Sequence, residues 1–321
     1  MGKIFILIQS EGDAIHRVSL EAINGARQLR DSGGHSLHAV LMGSHAPPAP
    51  LKGCDIDEIL HLNHAQLDQY SPEHFIAAAE ALIAQESPGL IIAGHTYQAR
   101  DWLPRLAVRI GLPMISDCTG FESGGSLTWL RPIFQGKISA EVTTADGPVM
   151  VSFQAGTFRS DDLGTGAPAV RAIDLDLSGV VPKVLREPKF QEAKGTVDLS
   201  RAERIVSVGR GIGEQEHMKI VEELAAVLGA ELGSSRPVVD YGWLDHDRQV
   251  GSSGQTVTPK LYLAIGISGA IQHQVGMKNS GCIVAINKDA HAPIFEVADY
   301  GIVADLHEIV PALIQALKGE Q

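Results

Sequence analysis

Short apolar runs alternate with amphipathic stretches along the first third of the chain. The runs KIFILIQ (3–9), SLHAVLMG (36–43), IDEILHLN (56–63) and GLIIAGHT (89–96) are rich in branched residues and predict buried strands. The stretches 18–34, 71–85 and 100–111 place apolar residues at helical spacing, and Ser71 is a predicted N-cap. This alternation predicts a sheet of parallel strands covered by helices.

The pattern changes from about Gly120. SLTWLRPIF (126–134) and ISAEVTTADGPVMVSFQ (138–154), with a turn at Asp146 and Gly147, predict antiparallel strands joined by a hairpin. The residues from Asp161 to Leu199 are broken by several glycines and prolines and predict an exposed linker. We therefore expect an N-terminal α/β domain with a mixed sheet over residues 1–190, its linker starting at about 161, and a second domain over 200–321.

The β/α alternation resumes in the second domain. RIVSVG (204–209), LYLAIG (261–266), CIVAIN (282–287) and GIVAD (301–305) predict strands of a compact parallel sheet. EQEHMKIVEELAAVLGA (214–230) and HEIVPALIQALKG (307–319) predict helices. The fold class expected for the chain is α/β, with a nucleotide-hydrolase-like first domain.

Composition and charge exclude several classes of protein. The 321 residues carry a net charge of −12 and no cluster of Lys or Arg, which argues against nucleic acid as a partner. No apolar run approaches the roughly 20 residues that a membrane span needs, and the N-terminal run is too short for a secretory signal. Cys54, Cys118 and Cys282 lack zinc or dithiol spacing and are expected to be small buried side chains in a reducing compartment.

Polar residues follow the predicted strands of the second domain, where the carboxyl ends of parallel strands offer helix N-termini to an anion. Ser268 is expected at the start of a crossover helix. GRGIG (209–213), SSRP (234–237) and VGSSG (250–254) stand at or near other strand ends. Each has a plain alternative: a tight turn, an Arg covering the surface, and a flexible loop, while His273 alone is more often a packed or capping side chain.

The number of such residues favours a binding site. They form a predicted polar rim of nucleotide size, made of Arg210, Ser235, Arg236, Ser253, Ser268, Gln272, His273, Asn287 and Asp305. The sequence has no spacing typical of a nucleophilic triad, and it lacks the G-x-G-x-x-G of a dinucleotide-binding dehydrogenase. We expect no catalytic nucleophile and no metal site.

The second domain resembles a known family. LYLAIGISGAIQHQVGMKNSGCIVAINKDAHAPIFEVADYGIVAD (261–305) resembles the signature of the electron transfer flavoprotein alpha subunit, and GRGIG, SSRPVVDYGW and VGSSG fall where that family has corresponding segments. The first domain agrees in length and in LPRLAVRIGLPMISD (103–117). Two departures are Ser252-Ser253, where many members have Gln-Thr, and Tyr241, where a small residue is common.

This resemblance implies a cofactor and a set of residues. It implies non-covalent FAD in the second domain, with the pyrophosphate near Ser268, the adenosine near Asn287 and Asp305, and the isoalloxazine facing Arg236, Ser253 and His273. The positions that match the family's FAD-binding residues are Arg210, Ser235, Arg236, Val250, Gly251, Ser252, Ser253, Ser268, Gly269, Ala270, Ile271, Gln272, His273, Asn287, Asp305 and Leu306.

The resemblance also implies partners. We expect a heterodimer with a beta subunit that completes the flavin pocket, flavin dehydrogenases such as acyl-CoA dehydrogenases as electron donors, and a quinone oxidoreductase or another acceptor. Such a protein is a redox carrier rather than an enzyme that transforms a substrate. The expected location is the bacterial cytoplasm, since no mitochondrial transit peptide is recognisable. The alternative is a non-redox module that binds AMP or NAD on the same rim.

Overall fold

The chain folds into two compact units, residues 1–189 and 190–321. The structure, a computed structural model, describes residues 2–11, 14–124, 127–134, 136–184 and 197–319. Residues 185 to 196 of the predicted linker therefore lie outside the described residues. The domain bounds given above stay predictions.

The strands of the first unit are β1 (Lys3–Ile8), β2 (Ser10–Glu11), β3 (Ala14–Ile15), β4 (Ser36–Met42), β5 (Glu58–Leu62), β6 (Leu90–Gly94), β7 (Met114–Cys118), β8 (Gly120–Ser123), β9 (Leu127–Ile133), β10 (Ile138–Val142), β11 (Val149–Phe153) and β12 (Ala169–Ala172). Its helices are α1 (Arg17–Gly33), α2 (Ala49–Gly53), α3 (Pro72–Glu86) and α4 (Tyr97–Ile110), with a 3-10 turn at Ala65–Leu67. Seven of the strands form one sheet in the order β12-β5-β4-β1-β6-β11-β7, in which every pairing is parallel.

Alternate residues of β1 show how the sheet is covered on both faces. Ile4 and Ile6 pack in the core that contains α1, whereas Phe5 and Leu7 pack in the core that contains α3 and α4. A strand buried on both faces reads as a continuous apolar run, which is why KIFILI predicted it. The first unit thus confirms the expected α/β class with parallel strands.

The predicted hairpin around Asp146 and Gly147 is wrong in part. β8, β9 and β10 form an antiparallel sheet of their own, but β11 pairs in parallel with β6 and β7 in the main sheet. The five residues of β11, VMVSF, are all buried, whereas β10 is mostly exposed. A continuous apolar run favours a central parallel strand over the second strand of a half-solvated hairpin.

Part of the predicted linker forms a strand. Ala169–Ala172 forms β12, the outer strand of the seven-stranded sheet, and Ile173 and Leu177 behind it are buried. Arg171 fixes this strand through its ion pairs with Glu58 and Glu86, at 2.8 Å each. The sequence pattern misses this strand because most of its four residues are exposed.

The strands of the second unit are β13 (Arg204–Val208), β14 (Glu231–Ser234), β15 (Leu261–Ile265), β16 (Ile283–Asn287) and β17 (Tyr300–Val303). Its helices are α5 (Met218–Leu228), α6 (Arg236–Asp240), α7 (Ile271–Gln274) and α8 (Leu306–Gly319), with 3-10 turns at Leu199–Arg201, Arg210–Ile212, Gln215–His217, His246–Arg248 and Pro293–Glu296. The five strands form one sheet in the order β14-β13-β15-β16-β17, again wholly parallel.

The two faces of this second sheet are covered differently. Val206 and Ile265 face α5 and α8, whereas Tyr262 and Ala264 face Met277 and Ile294 from loops and short turns. Loops on that second face leave room for a ligand, as a long packed helix would not. Among the residues that the structure describes, no helix is both long and apolar enough to cross a membrane.

The expected crossover helix beginning at Ser268 is shorter and starts later. α7 has four residues, Ile271–Gln274, with Ala270 as its N-cap, and the chain then continues in turns. Gly276, two residues beyond the helix, lies so close to the main chain of Gly251 that no side chain would fit there. Ser268 consequently lies in the loop before the helix.

Candidate functional site

A cavity of about 570 Å³ opens at the carboxyl ends of the strands in the second unit. Ligands of open parallel sheets bind at this edge, and the volume lies in the range of small-molecule sites. The walls of the cavity are formed by Arg210, Gly211, Ser235, Arg236, Pro237, Gln249, Val250, Gly251, Ser253, Gly266, Ile267, Ser268, Gly269, Ala270, Gln272, His273, Asn287, Asp289, Ala292 and Pro293.

The loop after β13 brings Arg210 to the cavity. The N–H groups of Gly209 and Gly211 donate to the carbonyls of Ile265 and Gly266, at 2.8 and 3.0 Å. A side chain at position 211 would overlap the main chain of Gly266. These contacts pin the loop, and its single 3-10 turn leaves the Arg210 side chain exposed at the cavity wall.

A second Arg comes from the end of β14. Ser235 is buried, and its N–H donates to the carbonyl of Val208 at 3.0 Å. Arg236 then begins the short helix α6, and its Nε lies 3.4 Å from Oδ2 of Asp240 on the next turn. The Arg236 side chain is 70% exposed, so this pair positions the guanidinium weakly and leaves it available to an anion.

The loop after His246–Arg248 forms the next wall. Gln249 is almost fully buried, and its Nε2 donates to Oγ of Ser253 at 2.9 Å. Gly251 has φ 142°, and a Cβ there would stand 2.8 Å from the carbonyl oxygen of Gln272. Only glycine adopts this conformation readily, and the N–H groups of Gly251 and Ser252 donate to the carbonyls of Gln255 and Gln272, which hold the VGSSG segment against the wall.

The segment between β15 and α7 closes the cavity. Asn287 at the end of β16 donates from Nδ2 to the carbonyl of Ile267 at 2.9 Å, and Ser268 accepts from the N–H of Ile294 at 3.0 Å. Gly269 has φ 81°, and any Cβ at this position would overlap the main chain of Ile294. The loop is thus tied to β16 on one side and to the turn at Pro293–Glu296 on the other.

His273 is the most deeply buried ionisable group of the cavity wall. Its Nε2 lies 2.9 Å from the hydroxyl of Tyr262, a residue of β15 with no exposed surface. Burial lowers the pKa of His273 to about 4, with a smaller opposing effect from the main chain of Val250. The imidazole is therefore neutral near pH 7.

The charges of the wall favour an anionic ligand. Two cations, Arg210 and Arg236, stand against one carboxylate, that of Asp289. Guanidinium groups bind phosphate oxygens well because they offer several N–H donors in one plane. Two exposed Arg side chains, a cavity of this volume and free hydroxyl and amide groups together suit a ligand such as FAD, which combines a pyrophosphate with two ring systems.

Most of the sixteen residues that the sequence predicted line this cavity. The four that do not are Ser252, Ile271, Asp305 and Leu306. The Ser252 N–H donates to the carbonyl of Gln272, and Asp305 accepts from the N–H of His307 at the start of α8. Leu306 is packed behind Gly266, whereas the Ile271 side chain is exposed.

Sequence reasoning missed several wall residues. They are Gly211, Pro237, Gln249, Gly266, Ile267, Asp289, Ala292 and Pro293. Gln249 could have been predicted, because it stands directly before Val250 and the glycine loop. A polar side chain that is buried at such a position needs a hydrogen-bond partner. The Ala292-Pro293 pair had no such signal, since its place depends on the contact between Gly269 and Ile294.

The cysteines play no part in this site. Cys54 and Cys118 are buried, and burial raises the pKa of Cys54 to about 11 and that of Cys118 to about 12, so both thiols stay protonated. Cys282 is partly exposed, which differs from the expectation that it is buried. Within the described part of the chain, no group of three or more His, Cys, Asp or Glu residues could hold a metal ion.

Comparison with protein families matches both units. The family described as the electron transfer flavoprotein domain matches residues 4–178, and the electron transfer flavoprotein FAD-binding domain matches residues 198–278. The second match covers the strands β13, β14 and β15 together with Ser268 to His273. The residues that hold Arg210, Arg236 and His273 in place therefore belong to an FAD-binding domain.

Individual relatives match over nearly the whole chain. An electron transfer flavoprotein subunit alpha of Thermoanaerobacterium thermosaccharolyticum is 40% identical over 98% of this chain and 97% of its own length. The protein of the same name from Bacillus subtilis is 37% identical over 98% and 97%. The acryloyl-CoA reductase electron transfer subunit beta of Anaerotignum propionicum is 35% identical over 97% and 94%.

Proposed function

Because the chain belongs to the electron transfer flavoprotein alpha subunits and contains their FAD-binding domain, we propose that it carries electrons from flavin dehydrogenases to a quinone oxidoreductase or another acceptor. Acyl-CoA dehydrogenases are donors of this class. The protein would work as a redox carrier and not transform a substrate itself. The observation that carries the proposal is the cavity of about 570 Å³ at the carboxyl ends of the second sheet, with Arg210 and Arg236 on its wall.

We assign the FAD contacts to the sixteen residues predicted above, of which twelve line the cavity of this chain and four, Ser252, Ile271, Asp305 and Leu306, lie outside its wall. FAD supplies a ring that can hold and release electrons. Arg210 and the loop at Ser268 would bind the pyrophosphate, and Asn287 and Asp305 would hold the adenosine. Arg236, Ser253 and His273 would face the isoalloxazine, where positive charge and hydrogen-bond donors favour a reduced, negatively charged ring.

A second subunit completes this proposal. The relatives are named as subunits of electron transfer flavoproteins and of an acryloyl-CoA reductase, and a name of that kind implies a partner chain. The cavity of this chain is open on one side, with Arg210, Ser268 and Gln272 exposed. We expect the beta subunit to cover the flavin there and to exclude water. We place the complex in the cytoplasm.

The experiment is to co-express this chain with its beta subunit and to record the visible spectrum of the purified complex. The expected result is a yellow complex whose absorbance bleaches with dithionite and returns with an electron acceptor. A colourless complex that takes up no added FAD would overturn the proposal. Replacing Arg236 by Gln in the same complex should lower the flavin potential, and an unchanged potential would remove Arg236 from the ring.

The non-redox AMP or NAD module is not favoured, because the family that matches the second unit is an FAD-binding domain. A complex that binds AMP but never FAD would restore that alternative. The same spectrum therefore separates the two functions.

A further inference from the structure

One hydrogen bond within the cavity wall joins two polar side chains of the same loop. Gln249 donates from Nε2 to Oγ of Ser253 at 2.9 Å, and both residues line the cavity. Gln249 is only 3% exposed, whereas Ser253 is an exposed residue of the wall. The bond therefore connects a buried amide to a residue that a ligand of the cavity can reach.

The main chain around Gln249 fixes the place from which this amide donates. The N–H of Gln249 donates to the carbonyl of His246 at 3.1 Å, and its carbonyl accepts from the N–H of Gln255 at 2.7 Å. A side chain at Gly254 would overlap the main chain of Gln249, so the two ends of the loop are in direct contact. Gln249 is thus held on both sides, and its buried side chain starts from a fixed backbone.

Ser253 lies at a less constrained point of the same loop. It is the third residue of a β-turn, in which the N–H of Gly254 donates to the carbonyl of Gly251 at 3.0 Å. Serine has no second heavy atom on Cβ, so its hydroxyl can occupy any of the staggered positions. Across the described part of the second unit, residues 197–319, the Gln249 amide is the one side-chain or main-chain partner of this hydroxyl. The bond from Gln249 therefore selects the rotamer of Ser253.

The direction of this bond leaves the serine proton free. A side-chain amide nitrogen is a donor only, so the oxygen of Ser253 accepts from it and cannot donate back to the same atom. A hydroxyl that accepts one hydrogen bond still has its own O–H to donate. Because Ser253 lines the cavity, an acceptor atom of a bound ligand can take this O–H.

We propose that Gln249 is a positioning residue, which holds the Ser253 hydroxyl in the rotamer that donates its O–H to the ligand of the cavity. The proposal rests on the function proposed above, in which Ser253 faces the isoalloxazine. The edge of that ring carries nitrogen and carbonyl oxygen atoms that accept hydrogen bonds. The effect of Gln249 on the flavin would pass through this one hydroxyl.

The first test uses the full chain without flavin and follows the side-chain amide of Gln249. Its ¹H–¹⁵N signals are assigned from their loss in Gln249→Met. We expect these amide protons to exchange with solvent about fivefold faster in Ser253→Ala than in the wild type, the size of one hydrogen bond. If the amide were turned so that its oxygen accepts from Ser253, the exchange would not depend on Ser253, and the proposal would be overturned.

The second test is a double-mutant cycle in the complex with the beta subunit, with the dissociation constant of FAD as the measurement. Gln249→Met and Ser253→Ala should each raise this constant about fivefold, and the combined variant should bind FAD no more weakly than Ser253→Ala alone. Both single variants should also shift the visible absorption maxima of bound FAD in the same direction, because both remove the same hydrogen bond to the ring.

The cycle separates action through Ser253 from a direct role of Gln249. Gln249 lines the cavity itself, so it could contact the ligand or merely stabilise the loop. In either case its loss would still matter in the Ser253→Ala background. A combined variant that binds FAD about 25-fold more weakly than the wild type would therefore overturn the proposal.

Gln255→Met is the matched control for the loop. Its amide donates to the main chain of Val197 at 2.8 Å, and the residue is not part of the cavity wall. Its effect on FAD binding should add to that of Ser253→Ala, and the absorption maxima of bound FAD should stay unchanged. Coupling of Gln255 to Ser253 as strong as that of Gln249 would indicate a general loosening of the loop and contradict the proposal.

Failure of this proposal can be distinguished from failure of the proposed function. If the wild-type complex binds no FAD, the proposed function fails, and amide exchange in the free chain still shows whether Gln249 donates to Ser253. If FAD binds normally but the cycle is additive, only the inference about Gln249 is lost.

Discussion

Both parallel sheets have a cavity at the carboxyl ends of their strands, yet only one is equipped to bind an anionic cofactor. The cavity of the first unit has about 220 Å³, and two of its polar side chains are hydrogen-bonded to neighbouring hydroxyls. Asp68 accepts from the hydroxyl of Ser44 at 2.7 Å, and Gln9 accepts from the hydroxyl of Thr96. The cavity of the second unit has about 570 Å³ and the exposed side chains of Arg210 and Arg236 on its wall. The parallel-sheet topology provides a cavity in each unit, but the exposed cationic side chains make the second cavity a candidate site for an anionic cofactor.

The two units also differ in the buried ionisable groups that they contain. In the first unit Glu21 is buried and accepts a hydrogen bond from the N–H of Gly156. Desolvation raises the pKa of its carboxyl to about 7, against the smaller lowering effects of that hydrogen bond and of Arg17. In the second unit burial lowers the pKa of His273 to about 4. Both groups favour the neutral form, so they make stability depend on pH in opposite directions.

The largest expected effect comes from removing the close approach at Gly269. Gly269→Val places a branched side chain at φ 81°, where it overlaps the main chain of Ile294, and should destabilise the second unit by about 4 kcal/mol and abolish FAD binding. Urea unfolding and FAD titration measure the two effects. Gly179→Val in the first unit is the control, since nothing lies within 4 Å of a Cβ there. Equal stability of the two variants would show that the wall of the cavity is not rigid.

The next effect concerns Glu21. Its pKa is about 4.5 in the unfolded chain and about 7 in the folded one, so its contribution to stability is present below pH 4.5 and lost as the pH rises through 7. The loss amounts to about 3 kcal/mol in the first unit and should be absent in Glu21→Gln. Hydrogen exchange of the amides of α1 between pH 5 and 8 measures it, with the exposed Glu122→Gln as control. A wild-type profile without this slope would remove the contrast with His273.

Prediction from sequence worked best for helices and strands that a single local pattern of apolar residues defines. The long helices α1, α3 and α8 and the strands β1, β4 and β15 follow continuous or periodic apolar patterns. β12 was missed because its four residues are mostly exposed and are held by Arg171, a contact that joins residues more than 80 positions apart. β11 was assigned to the wrong sheet because pairing partners depend on tertiary contacts that no local pattern records.

The residues of the candidate site also divide into those that the sequence could predict and those that it could not. Arg210, Arg236 and Asn287 could be found from the sequence because each follows a strand, and the carboxyl ends of parallel strands meet at one edge. The bond between Tyr262 and His273 could not, because the hydroxyl sits within an apolar run and its partner is eleven residues away. The contact between Gly276 and Gly251 was also hidden, since it joins residues 25 positions apart.

A smaller effect is expected from removing the positive charge of Arg210 in the second unit. Arg210→Gln in the FAD-loaded complex should raise the dissociation constant of FAD about 30-fold, because a hydrogen bond to a charged group contributes about 2 kcal/mol. The effect should shrink at high salt. Fluorescence of released FAD measures the constant, and Arg105→Gln is the control because Arg105 pairs with Asp101 on the surface of the first unit. An equal loss in both variants would mean that Arg210 acts through overall charge.

The smallest expected effect tests whether the first cavity takes part in cofactor binding. Asp68 is exposed, and the hydroxyl and N–H of Ser44 hold the pKa of its carboxyl below the usual range. Asp68→Asn should speed amide exchange at Ser44 and cost less than about 1 kcal/mol, because exposed interactions of this kind are weak. The dissociation constant of FAD should stay within twofold of the wild type. A larger change would show that the first cavity takes part in FAD binding. The difference in polar and charged side chains between the two cavities would then no longer explain where the cofactor binds.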